Sequence, residues 1–213
     1  MAESDHIIEA AKRLYQKNFL AAADGNISIR INDQQILITP SGKSKAHLQA
    51  NEMAEITLEN EIKKGTPSSE RLMHLAIYRK CKKAKAIVHA HPPTAIAWTI
   101  SHPHLKELPN QSFAEVILAV GSLPIVPYAR AGTTAMANVL DPFLPEFRVL
   151  ILARHGAVAW GETLEEAVNG IERLEHIAET LLRAEMLGNI TNLPEEEIEA
   201  LKKIRNTFGN RTL

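Results

Sequence analysis

Asn26-Ile27-Ser28-Ile29-Arg30-Ile31-Asn32-Asp33-Gln34-Gln35-Ile36-Leu37-Ile38 is the stretch that decides the fold. Ile27, Ile29 and Ile31 alternate with Ser28, Arg30 and Asn32, which sets the isoleucines on one face of an extended chain. After the turn residues Asn32-Asp33, the run Gln35-Ile36-Leu37-Ile38 reads as a second strand, so the pair predicts an antiparallel hairpin. Upstream, Ile7, Ile8, Ala11, Leu14 and Tyr15 recur at helical spacing and predict an opening helix over about 5–18. Downstream, a third strand is expected over 53–57 and a helix over 69–81, where serines stand ready to cap free backbone N–H groups. The β-branched run Ala86-Ile87-Val88-His89-Ala90-His91 stops at Pro92-Pro93 and reads as a strand that delivers side chains to its own C-terminal end.

Further strands are expected near 124–126, 148–153 and 157–160, with helices near 94–100, 113–120 and 133–140. Thr163-Leu164-Glu165-Glu166 has the pattern of a capping box and opens a helix that runs to about Met186. Helices and strands mix without strict βαβ alternation. The expected fold is therefore α/β of a three-layer, α+β-like kind, with a central, mostly antiparallel sheet flanked by helices. Neither a GxGxxG nor a Walker loop occurs, which removes the usual nucleotide-binding readings.

Composition narrows the function classes. The 213 residues suit one globular unit, and 45% apolar with 23% charged residues is ordinary for a packed core. A formal net charge of -1, from 24 basic and 25 acidic residues, offers no summed field for holding nucleic acid. The single Cys81 cannot pair within the chain, and the start Met1-Ala2-Glu3-Ser4-Asp5 lacks the basic and apolar regions of a secretory signal, so a reducing cytoplasm is expected. Aliphatic runs such as Val149-Leu150-Ile151-Leu152-Ala153 fall far short of the roughly 20 residues a membrane span needs, so no membrane partner is expected.

The chemistry gathers around histidine. Residues two apart on a strand share a face, so His89 and His91 can present both imidazoles to one ion, and His155 sits just after the apolar run that ends at Ala153. Three neutral imidazoles with one open position suit a catalytic zinc. Spacing alone leaves the His89/His91 site evenly balanced against a coincidental pair, since nine histidines occur. His102-Pro103-His104 repeats the pattern with a proline that breaks strand geometry, and His6, His47, His74 and His176 fit surface or packing roles on helices and loops. Glu70, at a helix start, would ordinarily just complement the dipole. The same helix start, with Ser68 and Ser69, also suits an anion, and the turns Gly25-Asn26 and Thr39-Pro40-Ser41-Gly42 offer more backbone N–H groups, with Lys43 adding a positive charge. Together these suggest a phosphate cradle beside a metal.

Five motifs in order, Gly25-Asn26-Ile27-Ser28, Thr39-Pro40-Ser41-Gly42, Ser68-Ser69-Glu70, His89-Ala90-His91-Pro92 and Arg154-His155-Gly156, resemble the class II aldolase/adducin family over roughly residues 5–185, and within it the fuculose-phosphate aldolase branch. The resemblance implies that His89, His91 and His155 bind Zn2+. It implies that Glu70 closes the resting metal shell and then acts as acid/base, and that Gly25, Asn26, Ser41, Gly42, Ser68 and Ser69 bind the phosphate of a small sugar phosphate. It further implies an aldolase releasing dihydroxyacetone phosphate and a short aldehyde, assembled as a homotetramer with sites between subunits. Residues 1–187 would form the catalytic unit. The tail 188–213, with Leu193-Pro194 and a charged helical segment, would be mobile or at the subunit interface.

One departure stands out: counting back from Pro124-Ile125-Val126-Pro127-Tyr128, Phe113 falls where the branch carries an assisting tyrosine, with Glu115 nearby on what reads as a solvated face. Epimerase, dehydratase and decarboxylase members of the same family remain open. So does a non-catalytic adducin-like scaffold, although Glu70 and all three histidines are retained here.

Overall fold

The computed structural model describes residues 2–212. The chain runs α1 (Glu3–Gln16), β1 (Asn26–Arg30), β2 (Gln35–Ile38), β3 (Ala54–Thr57), β4 (Ile62–Lys64), α2 (Arg71–Lys80), β5 (Ala86–Ala90), α3 (Pro93–Ser101), β6 (Ile125–Val126), α4 (Thr134–Asn138), β7 (Val149–Leu152), β8 (Gly156–Gly161), α5 (Leu164–Leu187) and α6 (Glu195–Asn206). The hairpin forms as its alternation predicts, with Ile29 opposite Leu37, and it seeds an eight-stranded sheet in the order β4-β3-β2-β1-β5-β8-β7-β6. Every neighbouring pair is antiparallel except β6 with β7.

Strand alternation divides the core into two layers. Ile27, Ile29, Val88, Ile151 and Ala159 face α1, α3 and α5, whereas Ile36, Ile38, Ile56, Ile87, Leu150 and Trp160 face α2. Both faces are thus covered, which is why the central strands β5, β7 and β8 are apolar almost throughout. Side-chain burial on this scale, at roughly 25 cal/mol per Å² of apolar surface, is the main force holding the three layers together.

Several boundaries differ from the sequence reading. The helix expected from 69 starts at Arg71, because Ser68 spends its hydroxyl on the Glu70 amide (3.3 Å) and its carbonyl on the Arg71 amide (3.2 Å), holding 68–70 as a turn. The strand expected to include His91 ends at Ala90, since the His91 amide leaves the sheet to donate to the Phe19 carbonyl (2.8 Å). The helix expected near 113–120 is a π-helical turn over Val116–Val120. β4 carries no strand signal in the sequence, because Ile62-Lys63-Lys64 is an exposed edge strand without alternation. The capping box before α5 is half made. Thr163 caps the Glu166 amide, while the Glu166 carboxylate turns to the Glu162 amide and Arg148. After Gly188 the chain forms α6, whose buried Arg205 donates to the carbonyls of Leu118 (2.9 Å) and Val120 (3.2 Å) on the π-helical turn. Among the described residues, no helix is long and apolar enough to cross a membrane.

Candidate metal centre

The register of three central strands builds the site. Asn26, first residue of β1, lies opposite His89 near the end of β5, and the next residue of β5, Ala90, lies opposite Ala157 of β8, two residues after His155. Three segments far apart in sequence therefore end at one place on the sheet.

The rings close on one another, with centroids 4.8 to 5.2 Å apart. Only glycine leaves room for this packing at 156, where an added Cβ would sit 2.5 Å from the Ala90 carbonyl oxygen and 2.8 Å from the His91 ring. Just before His155, Arg154 holds a left-handed φ of 58°, a backbone position that costs a non-glycine residue about 1 kcal/mol and that turns the chain so the ring points inward.

His89 is fully buried, and its Nδ1 donates to the Ala157 carbonyl (2.9 Å), which fixes the tautomer and leaves Nε2 as a lone-pair donor. That Nε2 lies 3.1 Å from His91 Nε2 and 3.1 Å from Glu70 Oε2, and His155 Nε2 lies 3.3 Å from Glu70 Oε1. Burial alone would raise the Glu70 carboxyl, but His89 and His155 beside it hold it well below the usual carboxylate range. His91 is pushed down to about 3, first by burial and then by His89 and His155, so it stands neutral and ligand-competent at pH 7.

One donor atom each from Glu70, His89, His91 and His155 lies within 4.8 Å of the others. Glu70 Oε1 and His155 Nδ1 are buried without a hydrogen-bond partner. Three imidazole nitrogens and one carboxylate oxygen, with Glu70 Oε1 left without a hydrogen bond, make an N3O set that fits a divalent cation such as zinc.

Glu70 is steered by a chain of buried hydrogen bonds. Asn26 Nδ2 donates to Glu70 Oε2 (3.0 Å), so Asn26 Oδ1 must accept, and it does so from His74 Nε2 (2.5 Å). His74 Nδ1 then accepts from the Ser28 hydroxyl (2.7 Å), which accepts in turn from Tyr78 (2.9 Å). Burial and the neighbouring His89 push His74 down to about 3, which keeps it in the neutral form this order of donors requires.

A cleft of about 430 Å³ opens beside Glu70, His91 and His155 and is also lined by Gly25, Asn26, Ser41, Gly42, Ser68 and Ser69. Nine of the residues singled out in the sequence line this one space, and His89 joins them through its cluster with Glu70, His91 and His155. Gly25 takes φ 70°, and a Cβ there would strike Leu20 at 2.3 Å and the His89 carbonyl at 2.8 Å. Lys43 does not join them: it pairs with Glu52 at 3.2 Å outside the cleft, and the lysine on the lining is Lys45. Asp24, Ala131 and Gly132 also line the cleft and carried no signal in the sequence beyond being small or turn-forming. Phe113 packs half-buried against the core layer of α1 and α5, and Glu115 is exposed. His102 stacks on Trp98, away from the cluster.

Residues 5–182 match the Class II Aldolase and Adducin N-terminal domain. The chain belongs to the class II aldolase/adducin family. The 3-oxo-tetronate 4-phosphate decarboxylase of Escherichia coli O6:H1 is 31% identical over 183 residues, covering 83% of this chain and 84% of that protein. The L-fuculose phosphate aldolase of Methanococcus vannielii is 32% identical over 171 residues, covering 80% and 91%. Among solved structures, that of Escherichia coli YgbL, whose candidate activities are given as aldolase, epimerase or decarboxylase, superposes with a TM-score of 0.87 at 28% identity and covers 93% of this chain and 97% of its own. The family membership and the three-layer sheet expected from the sequence are both met.

Proposed function

We propose that this class II family member is a zinc-dependent lyase that cleaves a small ketose phosphate to dihydroxyacetone phosphate and a short aldehyde. The observation that carries the reading is the Glu70 carboxylate, lying between His89 and His155 at the wall of a cleft also lined by serines and glycines. His89, His91, His155 and Glu70 would hold the ion, which supplies Lewis-acid stabilisation of negative charge on the oxygens next to the broken bond. Glu70 moves the proton at the carbon beside the carbonyl. Its Oε2 stays tethered to Asn26 while Oε1, which has no hydrogen bond, is free to turn to the substrate. Ser41, Ser68 and Ser69 present hydroxyls to the phosphate, and Gly42 and Ser69 present backbone amides, the amides of Ser41 and Ser68 being spent on the Thr66 and Thr39 carbonyls. Residues 1–187 serve as the catalytic unit of a homotetramer, with the tail 188–213 either mobile or at the contact between subunits. The enzyme works in the cytoplasm, where the free, buried Cys81 stays reduced.

A second reading, decarboxylation of a phosphorylated 3-oxo sugar acid, is favoured by one feature. Aldol cleavage must also take a proton from the hydroxyl that becomes the aldehyde, whereas loss of carbon dioxide needs no base on the leaving side. Phe113, at the expected tyrosine position, brings no hydroxyl, and a relative at 31% identity is named for decarboxylation.

Incubating the zinc-loaded protein with ketose 1-phosphates and with a 3-oxo-tetronate 4-phosphate, reading dihydroxyacetone phosphate and carbon dioxide separately, decides between them. Dihydroxyacetone phosphate released from a ketose 1-phosphate together with an aldehyde supports the aldolase. Carbon dioxide released from the oxo acid with an equal amount of dihydroxyacetone phosphate, with no cleavage of the ketose phosphates, moves the assignment to the decarboxylase. Glu70→Gln should keep the metal and lower turnover by about 100-fold or more. Parental turnover in that variant would refute the role given to Glu70.

A further inference from the structure

We propose that Lys45 binds the phosphate group of the substrate and makes the cleft selective for phosphorylated over neutral sugars. The inference rests on the sugar-phosphate reading above and names a residue that reading does not include. Lys45 opens a 3-10 turn (Lys45–His47) just after the Ser41-Gly42 turn and is 1% exposed. Its Nζ donates to the carbonyls of Ala23 and Lys43, both at 2.7 Å, which ties the loop before Gly25 to the loop after Gly42. An ammonium has three donors, so these two bonds leave one N–H without a carbonyl.

No carboxylate of the described residues comes within ion-pair distance of Lys45, whereas its neighbour Lys43 is paired with Glu52. A buried cation is ordinarily matched by an anion, and this one is not. Burial lowers its pKa, while Asp24 and Glu70, at longer range, raise it. Among the lining residues Asp24 and Glu70 are the carboxylates and Lys45 is the only lysine or arginine, so without Lys45 a phosphate dianion would meet negative charge alone before any metal binds. Its two carbonyl partners set it on the lining of the cleft between the loop before Gly25 and the loop after Gly42. The competing view is that Lys45 merely ties the two loops together.

The test uses the full zinc-loaded protein, its Lys45→Met and Lys45→Arg variants, and three probes: inorganic phosphate, dihydroxyacetone phosphate and dihydroxyacetone. Lys45→Met should weaken both phosphate probes by about tenfold or more, as expected for loss of one charge-assisted bond, and leave dihydroxyacetone unchanged. With a turned-over substrate the loss should appear in KM more than in kcat. Zinc content should stay at parental level, and Lys45→Arg should recover affinity to within about threefold of the parent. Equal phosphate affinity in Lys45→Met and the parent overturns the proposal. So does loss of zinc and phosphate together with a lowered melting midpoint, which would leave Lys45 as a loop tie. If the parent itself binds dihydroxyacetone no more weakly than its phosphate, the sugar-phosphate reading fails first, and the variants are not needed to show it.

Discussion

At the residue scale, Gly156 and His74 decide how well the metal centre is held. Gly156→Ala forces a Cβ against the Ala90 carbonyl and the rings of His89 and His91, so we expect a loss of about 1–3 kcal/mol in stability together with at least tenfold weaker zinc binding. Chemical denaturation and zinc competition with a chelator measure both, and parental zinc affinity would show that the rings do not need this space. His74 sets a pH limit. Its folded-state value of about 3 lies below the ordinary 6.5, so between these pH values the unfolded chain takes up a proton that the folded chain refuses. The contribution is complete above about pH 6.5 and is lost as pH falls toward 3, at about 1.4 kcal/mol per unit. In chelator-treated protein the denaturation midpoint should fall across that window, and fall less steeply in His74→Gln. Identical slopes would remove His74 from the account. The histidine pair His89-Ala90-His91 and Ser68-Ser69-Glu70 were legible because their chemistry is written in local spacing. His74 was not, because a histidine inside a helix looks the same whether it faces water or holds Asn26. Lys45 was hidden for a similar reason. Lys43 and Lys45 flank one serine and are alike in composition, and only the three-dimensional path of the loop buries one and leaves the other at the surface.

At the scale of elements, one helix caps another. Glu175 of α5 is 7% exposed, and its carboxylate accepts from the amides of Thr94 (2.9 and 3.1 Å) and Ala95 (3.0 Å) at the start of α3, where Pro92 and Pro93 offer no donor of their own. The sequence showed α3 starting at a proline pair but could not show that its cap comes from about 80 residues away. Glu175→Ala would leave two amide donors buried without a partner, so we expect a loss of about 2–4 kcal/mol, read from the urea midpoint. A change below about 0.5 kcal/mol would mean that water replaces the carboxylate. Strands with alternating or continuous apolar runs were readable for the converse reason, since β1, β2, β5 and β7 carry the burial that positions them in their own residues. β4 lacked that signal because an exposed edge strand buries nothing, and its place is set by pairing with β3.

On the scale of the whole molecule, the metal should act as a fold stabiliser as well as a reagent. Ligand binding to the folded state alone contributes about 4 kcal/mol when the free ion is about 1,000 times its dissociation constant. Chelation should therefore lower the melting midpoint, and zinc should restore it; no shift would argue that Glu70, His89, His91 and His155 hold no ion tightly. The homotetramer proposed above is testable by sedimentation, and a monomer at micromolar concentration would refute it. The pairing of Asn26 with His89, and of Ala90 with Ala157, carries a further consequence. Side chains on a strand alternate between faces, so a slip of β5 by one residue would carry the His89 ring to the opposite side of the sheet. Catalytic geometry is thus inseparable from alignment at the centre of the sheet, and no local breathing motion can loosen one while sparing the other. Backbone amides of β5 and β8 should consequently exchange with deuterium only through global opening, making the reactive heart of this protein also its slowest-exchanging part.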